Sequence, residues 1–211
     1  MIGEKYKNQT FLIIILIVAI AFFSGILIGK YVETKEQGDI TRFMKHLELN
    51  TESYLVEQEL IGITDDCDLA KERIKSLSSE LYDLGLMLSE ENAEKNLGKD
   101  TYLLLKKKFH LMQIRTYMLY HSLNENCGND EHTILFYYSR DDDKSKEQGK
   151  ILDEIGKNYQ VNVFAIEYNY TSELTFLEDY YEISNPPAIV IDFEDVRNEM
   201  TSYSEITDSI I

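Results

Sequence analysis

The sequence predicts a mixed α/β protein in which a C-terminal α/β domain follows a transmembrane helix and an antiparallel α-helical hairpin stalk. Three observations carry this reading. The stretch from Thr10 to Gly29, TFLIIILIVAIAFFSGILIG, has no charged residue. Between Cys67 and Cys127 apolar residues recur three and four positions apart, the period of a helix face. Beyond Thr133 the pattern changes to short apolar runs alternating with amphipathic stretches. A hydrophobic content of 44% supplies a core and excludes wholesale disorder.

Residues 1–10 form a short leader and residues 11–29 the transmembrane helix, since about 20 apolar residues cross a hydrocarbon core of ~30 Å. The apolar run exceeds the ~7–15 residues of a cleaved signal peptide and no small-x-small site follows it, which favours an uncleaved signal anchor. Ala21, Gly25 and Gly29, spaced by four, would lie on one smooth stripe that offers a route to a homo-oligomer, although small residues are common in such helices. Lys5 and Lys7 precede the span and Lys30 and Lys35 follow it, so basic residues alone leave its orientation open.

The stalk covers residues 31–127 and contains no proline. Ile40, Met44, Leu47, Thr51, Tyr54 and Ile61 keep a rough helical spacing. A clearer seam runs through Ala70, Ile74, Leu77, Leu81, Leu84 and Leu88 and extends back to Cys67. A polar break, Ser89 to Asp100, follows, with Gly98 as a helix stop and Asp100 as the expected cap of the next helix. The second seam passes through Leu105, Phe109, Met112, Thr116, Leu119 and Leu123 and extends forward to Cys127.

Two helices of similar length joined by a short loop pack antiparallel, so the start of the first lies beside the end of the second. Cys67 and Cys127 then share one end and the facing seams, which predicts a structural disulfide. The alternative is two unrelated buried thiols, since free cysteine packs as a small hydrophobe. A disulfide implies an oxidising compartment, hence a cytoplasmic N-terminus and the bulk of the chain outside the cytoplasm. The sequons Asn8–Thr10 and Asn169–Thr171 arise easily by chance and decide nothing.

With 38 acidic and 21 basic residues the net charge is -17, which excludes nucleic acid as a partner. Lys106, Lys107 and Lys108 spread around a helix and read as a solvated face. His46, His110, His121 and His132 lack the close spacing of metal ligands and read as surface or cap residues. No metal, cofactor or catalytic set emerges. The expected partners are the membrane, through residues 11–29, and a protein that the sequence does not identify.

The C-terminal domain spans residues 132–211. Ile134 to Tyr138 is an unbroken apolar run, expected of a strand covered on both faces. Lys144 to Tyr159 reads as a helix burying Ile151, Leu152 and Ile155. Val161 to Tyr168 reads as a second strand, parallel to the first. Ser172 to Glu182 reads as a serine-capped helix, Ala188 to Phe193 as a third strand, Glu199 to Tyr203 as a short edge strand and Ser204 to Ile211 as one or two helical turns.

This element order, the "KILDEI" stretch from Lys150 to Ile155 and "NPPAIVI" from Asn185 to Ile191 resemble the thioredoxin superfamily from Thr133 to about Ile206. The resemblance implies a thioredoxin-like domain, with Asp142 and Ser145 at the Cys-x-x-Cys positions and Pro187 as a cis-proline. Neither aspartate nor serine performs thiol–disulfide exchange, which needs a thiolate. Pro186, at the position that commonly bonds an extended substrate in that family, has no N–H to donate. Asp141, Asp142 and Asp143 are in adjacent positions, unlike the alternate ligands of a calcium loop, and suit a helix N-terminus.

The expected function is therefore a membrane-anchored, redox-inactive interaction or assembly module displayed outside the cytoplasm. The alternatives are a thiol–disulfide oxidoreductase or accessory that uses Cys67 and Cys127, and a coiled-coil dimerisation device built on the hairpin.

Overall fold

The computed structural model describes residues 53, 54, 56, 57, 59–61 and 66–211. The leader, the apolar span at 11–29 with its small-residue stripe, the Asn8–Thr10 sequon, His46 and the seam from Ile40 to Thr51 lie outside the described residues. Contacts divide the chain into two compact units, Met1–Gly62 and Ile63–Ile211. In the first, the described residues are helical, and Tyr54 and Ile61 are buried. Among the described residues no helix is long and apolar enough to cross a membrane.

The second unit opens with helix α1, Cys67–Ser89, capped by Asp66, whose carboxylate accepts the Asp68 and Leu69 amides. These are two of the donors that a helix start leaves without partners. The polar break contains a short helix α2, Ala93–Leu97, and Gly98, at φ 79°, turns the chain into α3, Lys99–Cys127. Asp100 is thus inside α3, and Gly98 takes the cap position expected of it. The seams meet: Ala70, Ile74, Leu77 and Leu84 of α1 and Leu105, Met112, Thr116, Leu119 and Leu123 of α3 are buried. The helices approach closely enough that a Cβ on Gly85 would lie 3.4 Å from the Phe109 ring.

A second buried stripe on α3 has no counterpart in the sequence reading. Lys106, His110, Gln113, Tyr117 and Tyr120 follow the seam one residue later, a rotation of about 100° around the helix, and all are buried. Lys106 is therefore not part of a solvated face, and His110, 1% exposed, is not a surface residue. This stripe needs cover of its own and finds it on the sheet. The hairpin and the sheet consequently lie in one compact unit, Ile63–Ile211.

The remaining elements are β1 (His132–Tyr138), α4 (Asp143–Asn158), β2 (Val161–Glu167), α5 (Thr175–Tyr180), β3 (Ala188–Ile191), β4 (Asp195–Arg197) and α6 (Tyr203–Ile210). The strand order is β2-β1-β3-β4, with β1 and β2 parallel and the other pairs antiparallel. Central β1 is covered on both faces, as its apolar run requires. Ile134 and Phe136 join Leu152 and Ile155 of α4 and Ile206 and Ile210 of α6 in one core. On the opposite face Leu135 lies in register with Phe164, whose ring centroid is 5.9 Å from those of Tyr117 and Tyr120 on α3.

Gln113 seals the outer edge of β2. Its side-chain carbonyl accepts the Ala165 amide at 2.7 Å and its amide donates to the Ala165 carbonyl at 2.8 Å, as a neighbouring strand would. Gln113→Ala is expected to cost about 1–3 kcal/mol, because it strips both partners from a shielded peptide group. Urea unfolding reads this directly, and an unchanged midpoint would mean that water replaces the side chain freely.

Three boundaries differ from expectation. Strand β3 ends at Ile191 rather than Phe193, because Asp192 and Phe193 adopt left-handed φ values of 48° and 69° in a turn closed by Glu194 N–H to Ile191 O at 3.2 Å. Ser172 does not cap α5; its carbonyl accepts the Thr175 hydroxyl, and the helix starts at Thr175. The edge strand lies at Asp195–Arg197 and not at Glu199–Tyr203, where Ser202 and Glu205 form a capping box that commits the chain to α6.

Candidate functional site

Strand β1 ends at Tyr138, and the loop from Ser139 delivers the chain to the head of α4. Asp142 caps that helix. Its Oδ2 accepts the Ser145 amide at 2.7 Å and the Ser145 hydroxyl at 2.8 Å, and the Ser145 Oγ accepts the Ser139 amide at 3.1 Å. The Ser145 hydroxyl, then its amide, hold the Asp142 carboxyl below the usual carboxylate range. Such a carboxylate is a poor base, so the buried Ser145 hydroxyl is committed to structure and not activated for attack. Asp143 pairs with Lys146 at 2.9 Å, and Asp141 is exposed. Among the described residues no cluster of His, Cys, Asp or Glu is arranged to hold a metal ion.

The proline pair reaches the same end of the sheet. Tyr137 is in register with Ala188, so continuing the ladder by one residue sets Pro187 beside Tyr138. The Pro186–Pro187 peptide bond is cis, and Pro187 is buried. Asp142, Ser145 and Pro187 therefore converge on the carboxyl end of β1, the side of an α/β sheet where ligands bind.

The same end carries charges that sequence reasoning missed. Lys106 of α3 forms a shielded ion pair with Glu167 at the end of β2, and the Arg140 guanidinium lies 3.7 Å from the same carboxylate. The Lys106 ammonium stands 4.9 Å from the centre of the Tyr170 ring, and His110 meets that ring edge-on at 5.1 Å. Both His110 nitrogens are buried without a hydrogen-bond partner. Burial first, then the Lys106 charge, push its pKa down to about 4. The Ala165 carbonyl, which also accepts from Gln113, opposes this shift without cancelling it. Lys107 pairs with Glu173 and its hydrogen bond holds that carboxyl down to about 2. The available signal was spacing: Lys106, His110 and Gln113 share the 4-3 rhythm of Tyr117 and Tyr120, but polar side chains at that spacing ordinarily mark a wet face.

The cysteines lie elsewhere, at the far end of the hairpin. Cys67 opens α1, Cys127 closes α3, and the two are bonded with Cα atoms 5.8 Å apart across a separation of 60 residues. The chain has two cysteines in all, so no thiol is left to serve the α4 end. Gly128, at φ 61°, ends α3 directly after the bridge, a left-handed position that glycine fills at little cost.

No family model matches the chain, and no curated protein does. Among solved structures, one described as "Structure of a malarial protein" is similar over 38% of this chain and 93% of its own, with 12% identity and a TM-score of 0.33.

Proposed function

We propose that the chain is a membrane-anchored, redox-inactive thioredoxin-like protein that works outside the cytoplasm as an interaction or assembly module. The observation that carries this reading is the lock between Asp142 and Ser145, which fills the head of α4 with a helix cap where a thiol pair would act. The element order from β1 to β3, with the proline pair leading into β3, supports the family likeness. The uncharged stretch at 11–29 supports the anchor. The bond between Cys67 and Cys127 fits an oxidising compartment.

The test is a thiol–disulfide exchange assay on the chain from Glu33 onward. The expected result is no reductase or oxidase activity above buffer. Asp142→Cys with Ser145→Cys places a dithiol at a helix N-terminus, whose positive end lowers thiolate pKa, and at least slow exchange is expected to appear. Turnover by the natural sequence would refute redox inactivity. Failure of the double variant to form an internal disulfide would remove the assignment of Asp142 and Ser145 to the motif positions. The oxidoreductase alternative predicts mixed redox states of Cys67 and Cys127 when membranes are alkylated and run without reductant. The module reading predicts one fully oxidised band.

A further inference from the structure

The two edges of the sheet are treated differently. Gln113 closes β2 at Ala165, whereas β4 is the opposite edge and no described residue pairs with its outer side. Backbone groups alternate sides along a strand. Asp192 N–H donates to Thr133 O, so alternate residues back along β3 also face β1, while Ile189 and Ile191 face β4. Their partners Arg197 and Asp195 point inward, which leaves the Val196 N–H and C=O directed away from the sheet.

A cleft lies on each face of that edge, and Val196 and Asn198 line both. One, of about 500 Å³, is on the α6 side and carries Glu199, Glu205 and Asp208. The other, of about 530 Å³, carries Glu182 and Glu194 beside Tyr180, Tyr181 and Phe193. Arg197 lines the α6-side cleft as well, where its guanidinium is neutralised by Asp195 and bonded to Ser209, each at 2.6 Å. Tyr180 is 75% exposed and Val196 36%. An open backbone pair between two acidic clefts matches an extended chain whose consecutive side chains point to opposite faces.

We infer that β4 is a strand-addition site for an extended peptide with two adjacent basic residues, its backbone pairing with Val196 and one cationic side chain entering each cleft. This deepens the interaction-module reading and rests on it. The five lining carboxylates select cationic side chains and disfavour a second copy of this chain, whose β4 edge bears the same charge. In the aromatic cleft the exposed Tyr180 adds a ring face for a lysine or arginine head.

The experiment uses the full chain in detergent micelles and the labelled peptide TVKKVT, read by fluorescence anisotropy. Binding of TVKKVT, none of TVEEVT, and weakening by added salt are expected. Val196→Pro removes the outward N–H without touching the inward ladder and is expected to weaken binding about tenfold or more. Glu182→Gln with Glu194→Gln is expected to do the same. Where Val196→Pro loses the native circular dichroism, TVKKVT N-methylated at its second lysine tests the pairing from the ligand side. No binding, equal binding of TVEEVT, indifference to both backbone changes, or a chain that dimerises through β4 would each overturn the proposal. A chain that binds no peptide and turns over no thiol loses this surface and keeps redox inactivity. Peptide binding together with thiol turnover does the reverse.

Discussion

Replacing Cys67 and Cys127 together by serine lowers the unfolding free energy of the chain from Glu33 onward by about 4 kcal/mol, the chain-entropy value for a closed loop of some sixty residues. The size follows from where the bond sits. It ties the first residue of α1 to the last of α3, so in the unfolded chain it restrains the whole hairpin and nothing shorter. Urea midpoints with and without reductant read the effect, and the reduced wild type should fall to the level of the double serine variant. Equal midpoints for the oxidised wild type and the double variant would mean that the hairpin already restrains the unfolded chain without the bond. Core losses in the same hairpin should compound this one, since Leu119, 0% exposed, lies on the seam that the bond closes. Leu119→Ala alone is expected to cost about 2–5 kcal/mol.

His110 makes the stability pH-dependent in a defined window. Its folded pKa is pushed down to about 4, chiefly by burial, against ~6.5 in an unfolded chain. Between these values the unfolded chain binds a proton that the folded chain does not, so stability rises with pH across the window. The contribution is fully present above about pH 6.5 and is lost as pH falls toward 4, an amount on the order of 3 kcal/mol at about 1.4 kcal/mol per pH unit. Lys106 lies beside the ring, its ammonium 4.9 Å from the Tyr170 centroid, and adds to the cost of a second positive charge there. His110→Met removes this share of the pH dependence. Because both ring nitrogens lack partners, the variant should be at least as stable as the wild type at pH 7. Parallel losses of wild type and variant between pH 6.5 and 4.5 would show that the ring titrates as in water.

The hairpin was legible because its seams are apolar and periodic. Ala70, Ile74 and Leu77 on one helix and Met112, Leu119 and Leu123 on the other were placed correctly, and the matched ends located the disulfide. The α4 helix was equally legible, with Leu152 and Ile155 on its buried side. The polar stripe of α3 was not. Lys106 and His110 read as solvated from their side chains alone and Gln113 carried no reading, and the burial of all three depends on Glu167, Tyr170 and the Ala165 backbone, which are 52 or more residues away. The β3–β4 turn was missed for a similar reason. Phe193 in a left-handed conformation opposes its local preference and is held by stacking on Tyr117 at 3.8 Å and by its contact with His121, neither of which a local pattern carries.

By itself the sequence determined the period of each helix, the two-sided burial of β1, the pairing of Cys67 with Cys127 and the absence of a thiol at the head of α4. Those features follow from side chains within one element, or from two elements whose mutual register a short loop dictates. Tertiary structure alone decided that α3 serves both the hairpin and the sheet, that Gln113 closes one edge while Val196 leaves the other open, and that β4 begins at Asp195. Each of these depends on which distant backbone group or ring stands opposite a given residue. A polar side chain carries no mark of whether its partner will be water or a peptide group across the fold.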